Sequence, residues 1–124
     1  RNDVMRKTVQ LWKTYDAFDT KSALWIPYYR AEATVAKPAS KSVKASLYLH
    51  PAKDALLVIG NLSPDVVETA VKLNLSALGL AGRPVAARNA LTLERTPCEN
   101  GSLRVRVLPK SFRLIWVCTR RHGA

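Results

Sequence analysis

Hydrolytic chemistry at neutral pH needs paired carboxylates, a histidine beside a nucleophile, or clustered metal ligands. The chain is sparing with all three. Its acidic residues are Asp3, Asp16, Asp19, Glu32, Asp54, Asp65, Glu68, Glu94 and Glu99. A carboxylate pair working as acid and base would have to flank a cleft, the two groups about 5–10 Å apart. Asp54 and Asp65 instead fall in turn segments, Glu68 on a solvent-facing position and Glu99 in a hairpin loop, so spacing brings no two together. His50 and His122 each stand alone in the sequence. Cys98 and Cys118 lack the spacing of a zinc-binding pair. They leave two readings open: a disulfide in a secreted protein, or two unpaired small apolar side chains. None of the five glycines builds a phosphate loop. The expectation is a chain that is not itself an enzyme, with no catalytic residue, no metal and no cofactor.

Binding is better represented than catalysis. Twenty Lys and Arg against nine Asp and Glu give a net charge of +11, which draws anionic partners and says nothing about fold. Lys44, Lys72, Arg104, Arg106 and Arg113 are expected on an outer sheet face, open either to an anionic polymer or to solvent. No recognition helix or RNA-binding aromatic signature accompanies them, which argues against nucleic acid as the partner. Trp12, Phe18, Trp25, Tyr28 and Tyr29 form the aromatic set. Such rings stack on sugars or bases, and they equally cover a sheet end or a domain interface. Asn74-Leu75-Ser76 and Asn100-Gly101-Ser102 match the glycosylation acceptor pattern, which matters only on a eukaryotic secretory route.

These residues must be carried by elements that 124 residues can supply, namely one domain with its own core. No apolar run approaches membrane-spanning length, so a soluble domain without membrane contact is expected. RNDVMRK is not followed by the apolar stretch of a signal peptide. A chain starting at Arg1 rather than Met is expected to be a piece of a longer protein. The compartment stays open, a secreted or periplasmic one included.

Asp3 to Phe18 reads as an amphipathic helix, with Met5, Val9, Trp12, Tyr15 and Phe18 at three- and four-residue spacing. It either packs on the β-core of its own chain or meets a neighbouring domain. Ser22–Arg30 reads as an edge strand or extended crossing, because Pro27 lacks a backbone donor. Ala31–Ser42 reads as a loop. Val43–His50 alternates, and Ala55–Asn61 is apolar on both faces, as a doubly buried strand requires. The alternating run from Val67 to Leu75 is expected as its half-buried neighbour. A helical turn capped by Ser76 and stopped by Gly79 follows. Val85–Ala90 and Leu91–Glu94 read as short strands, with an Asn100-Gly101 turn beyond them. Ser102–Leu108 and Ser111–Thr119 are expected to pair as a last hairpin. Phe112, Leu114, Trp116 and Cys118 would then face inward, and Arg106 would lie opposite Arg113. The tail Arg120–Ala124 reads as frayed. The sum is a mainly β chain: an antiparallel β-sandwich of about six to eight short strands with an N-terminal amphipathic helix.

Three segments, LWKTYDAFDTKSALWIPYYR, VKASLYLHPAKDALLVIGNLSPDVVETAVKLNLSALGL and LRVRVLPKSFRLIWV, together resemble a known arrangement. It is the C-terminal end of large bacterial glycoside-hydrolase-like proteins of the glycoside hydrolase family 123 type. There a helix leaves a (β/α)-barrel catalytic domain, an aromatic IPY segment crosses, and a β-sandwich follows. The resemblance implies a non-catalytic accessory domain: residues 1–21 as the linking helix, 22–124 as the C-terminal sandwich. It implies the catalytic domain of the same chain as partner and carbohydrate as ligand. The family's catalytic carboxylates lie in the barrel, so none carries over to this chain. Ile26-Pro27-Tyr28-Tyr29 and Gly60-Asn61-Leu62-Ser63 match recurrent parts of the pattern, and both look structural. The basic charge departs from that pattern. It keeps a second reading open, a basic binding module for an anionic polymer, either acidic glycan or nucleic acid.

Overall fold

In a computed structural model of the protein, residues 2–30 and 35–119 are described, with side chains described from residue 9 onward. The side chains of Asp3 and Met5, residues 31–34 with Glu32, and the tail with His122 lie outside the described residues. Helix α1 spans Asn2–Phe18 and is followed by a 3₁₀ turn at Thr20–Ser22 and strand β1, Leu24–Ile26. Then come β2 (Ala36–Pro38), β3 (Val43–His50), β4 (Asp54–Asn61), β5 (Val67–Leu73) and the single-turn helix α2 (Leu75–Leu78). The chain closes with β6 (Val85–Asn89), β7 (Arg95–Thr96), β8 (Cys98–Glu99), β9 (Ser102–Val107) and β10 (Phe112–Thr119).

The strands form two antiparallel sheets, one of six strands in the order β1-β3-β4-β10-β6-β7 and one of four in the order β2-β5-β9-β8. The antiparallel sandwich is therefore present. It has ten strands rather than six to eight, the additions being the two- and three-residue strands β2, β7 and β8. Strand β4 explains its own sequence. It sits between β3 and β10, with the second sheet on one side and α1 on the other, so both of its faces must be apolar. Leu57 and Ile59 enter the core between the sheets, while Leu56 enters a second cluster beneath α1.

Several expectations change at the level of pairing. The run from Val67 is not the neighbour of β4. It lies in the other sheet, between β2 and β9. Nor do β9 and β10 form a hairpin, because the chain crosses from one sheet to the other at Pro109-Lys110. Arg106 accordingly stands opposite Glu68, and Arg113 opposite Ile59. The inward phase of β10 is Ile115 and Val117, while Leu114 and Trp116 face α1 and Phe112 is exposed. Alternation could not decide this phase because both faces of β10 are covered.

Three local details also differ. Part of the presumed loop before Val43 is strand β2. Leu91–Glu94 is a turn rather than a strand, its amides at Leu91 and Thr92 bonded to the Asn89 side chain. Asn74, not Ser76, caps α2: its side chain accepts from the Ala77 amide at 3.1 Å, and Gly79 ends the helix at a φ of 76°. The Asn100-Gly101 turn is as expected, with φ values of 52° and 79°.

Asn61 staples the end of the sandwich. Fully buried, it donates from Nδ2 to the carbonyls of Asp65 (2.7 Å) and Val107 (3.0 Å), and it accepts from the Ser63 amide at 2.9 Å. One side chain thus closes the turn after β4 and ties it to β9 in the opposite sheet.

Candidate functional site

The C-terminal end of α1 is where polar side chains converge. The three-residue turn between β3 and β4 places His50 directly opposite Asp54, and Nδ1 of His50 lies 2.6 Å from Asp54 Oδ1. The second carboxylate oxygen accepts from Trp116 Nε1 at 3.1 Å. On its other side, His50 Nε2 lies 3.1 Å from the Asp19 carbonyl and 3.3 Å from Ser22 Oγ. The Phe18 ring stacks on the imidazole at 4.5 Å between centroids.

Ser22, His50 and Asp54 thus stand in the order of a hydroxyl–imidazole–carboxylate relay, which the sequence reading missed. Acting as a base would require a free lone pair on Nε2 aimed at the hydroxyl. Two contacts oppose that. The Asp19 carbonyl can only accept, so a lone pair on Nε2 would face it unfavourably at 3.1 Å. The Ser22 hydroxyl is directed to Asp19 Oδ2 at 2.6 Å. The arrangement therefore works as a latch holding the end of α1 on the sandwich. Half of it was legible: His and Asp four apart across a tight turn must face each other. Ser22 arrives from another part of the chain, and no spacing announces it. Among the described residues, no three His, Cys, Asp or Glu side chains converge as metal ligands do. Cys98 and Cys118 are free thiols on different sheets, and burial pushes the Cys98 thiol above its ordinary value.

The aromatic set divides in two. Phe18 is buried (2% exposed) against His50 and Trp116, so it belongs to the fold and not to an exposed stacking surface. Trp12, Trp25, Tyr28 and Tyr29 remain exposed, by 63%, 44%, 47% and 75%. Trp25 and Tyr15 of α1 converge on Tyr48, at ring distances of 4.6 and 5.8 Å. The helix thus packs on its own sheet through Leu11, Tyr15 and Phe18 while leaving Trp12 outside.

The basic set divides as well. Lys72, Arg104 and Arg106 alternate on the outward side of β5 and β9. Arg106 lies 3.8 Å from Glu68 there, an exposed pair that contributes little stability. Lys44 lies on β3 in the other sheet, beside Tyr28. Arg113 faces the gap between the sheets, where its Nε donates to the Arg106 carbonyl at 3.0 Å. The five therefore do not share one face, because β9 and β10 belong to different sheets.

A family model described as glycoside hydrolase 123, C-terminal domain, matches residues 7–94. Among solved structures, the fold is similar to an Anoxybacillus alpha-amylase at 9% identity and a TM-score of 0.66, covering 100% of this chain and 24% of that one. It is also similar to a variant of a GH27 β-L-arabinopyranosidase from Geobacillus stearothermophilus, at 16% identity and a TM-score of 0.53, covering 66% of this chain and 18% of that one. The chain spans a quarter or less of either neighbour, and at these identities the likeness is one of fold. No curated protein sequence matches the chain.

Proposed function

Because the chain belongs to the family of glycoside hydrolase 123 C-terminal domains, we propose that it is a non-catalytic accessory domain packing against the catalytic domain of the same protein. Residues 1–21 form the linking helix in this reading, and 22–124 the sandwich that the helix fastens to its neighbour. The observation that carries it is the exposure of Trp12 and Trp25, at 63% and 44%, on elements that both lean on Tyr48. Large exposed aromatics on neighbouring elements mark an interaction surface. The latch around His50 supports the same reading, since it fixes the direction in which α1 leaves the sandwich.

Hydroxyl-radical footprinting of the full-length protein tests the proposal, with the 75% exposed Tyr29 as internal reference. Trp12 and Trp25 are expected to oxidise several-fold more slowly than their exposure in this domain predicts, while Tyr29 stays reactive. Rapid oxidation of both tryptophans in the intact protein would remove the interface from the reading.

A further inference from the structure

A groove runs along the open edge of the sandwich between β2 and β3, bordered on one side by Tyr28 and Arg30. Its volume is about 420 Å³. Ala36, Val43 and Ala45 line it as small buried side chains and leave the space open. Four cations, Arg30, Lys37, Lys41 and Lys44, stand around it together with the Tyr28 ring, and among the described residues no carboxylate lines it. Tyr28 is held in place. Its amide donates to Ser46 Oγ at 2.9 Å, Tyr29 meets it edge-on at 5.5 Å, and Lys44 Nζ lies 6.0 Å from its centroid. Tyr28 lines the groove and is 47% exposed.

We propose that this groove binds an acidic sugar residue of a glycan. A pyranose presents an apolar C–H face that packs on an aromatic ring, and an acidic one carries a carboxylate or sulfate for cations to hold. Tyr28 supplies the ring and Lys44, half-buried beside it, the nearest cation. Lys37, Lys41 and Arg30 surround the rest of the ligand. A neutral sugar would leave four cations without use, and nucleic acid would call for a longer track of charge with successive stacking rings. Among the described residues, Tyr28 alone lines the groove as an aromatic ring. Neither Trp12 nor Trp25 is among the residues lining the groove, so its proposed contacts are distinct from theirs.

Titration of the full protein by calorimetry at low salt tests this, with polygalacturonate, chondroitin sulfate, dextran and a single-stranded DNA oligonucleotide as probes. Binding is expected to polygalacturonate (carboxylate) or chondroitin sulfate (carboxylate and sulfate), the tighter of the two identifying the anion, and none to dextran. Tyr28→Ala and Lys44→Gln should each weaken binding about tenfold, while Arg95→Gln on β7, at the far edge of the six-stranded sheet, leaves it unchanged. Both groove positions are at least partly exposed, and unaltered melting temperatures are expected for their variants. Absence of glycan binding at low salt, equal affinity for dextran or for DNA, or indifference to both groove substitutions would each overturn the proposal. The footprint at Trp12 reads the domain interface separately from all of these outcomes.

Discussion

The two faces of the six-stranded sheet are covered in different ways. Toward the second sheet, Leu47, Leu57, Ile59, Ile115 and Val117 meet Val71, Leu103 and Val107, all at most 2% exposed. Such aliphatic packing is non-directional and stabilises in proportion to area. Toward α1, the contacts are Tyr15, Phe18, Tyr48 and Trp116, ordered by ring geometry and by the Asp54 carboxylate. Aromatic and hydrogen-bonded contacts specify an orientation. One face holds the domain together; the other fixes how α1 lies on it.

The largest expected effect lies on the first face. Leu57→Ala should cost about 3–4 kcal/mol in urea unfolding, the usual loss for a buried leucine whose site cannot collapse. A loss under about 1 kcal/mol would mean that the interlayer core does not carry the fold. On the second face, Asp54→Ala should cost about 1–3 kcal/mol, because Trp116 Nε1 and His50 Nδ1 both lose their partner. The contrast predicts that hydrogen exchange in α1 rises in this variant while amides of β9 keep their protection. Uniform exchange throughout would make the two faces one cooperative unit.

The smallest effect is a pH dependence. Burial first, and Tyr48 beside it second, raise the Tyr15 phenol above its ordinary value of 10.0. A group raised on folding contributes stability that is complete below its unfolded value and is lost as pH climbs through the folded one. The wild type should therefore lose stability to base more steeply than Tyr15→Phe, which at neutral pH should lie within about 0.5 kcal/mol of it. Parallel melting curves for the two from about pH 8 to about pH 11 would contradict the placement of Tyr15 under the helix.

Much of the architecture was legible because its signals are local. The β3–β4 hairpin followed from alternation beside a doubly apolar run, the Asn100-Gly101 turn from the positive φ that it needs. The exposed aromatics were legible as a set, though not divided. Phe18 and Trp12 share one helical stripe, and only the sheet beneath decides that Phe18 is covered while Trp12 is not. The supposed basic face failed for another reason. It assumed that β9 and β10 were neighbours, and a two-residue turn such as Pro109-Lys110 serves equally for a hairpin and for a crossing between sheets.

By itself, then, the sequence determined a mainly β sandwich, its central strand, its entry helix and the likeness to a glycoside-hydrolase C-terminal domain. The first three depend on periodicity, turn chemistry and composition, which act within a few residues; the likeness is a resemblance carried by three segments of the chain. Only the tertiary structure decided which strands share a sheet, that Ser22, His50 and Asp54 meet at the end of α1, and that Tyr28 stands over Lys44 at an open groove. Those contacts join distant parts of the chain. They are fixed by how two layers and a helix pack together, and no local pattern encodes that choice.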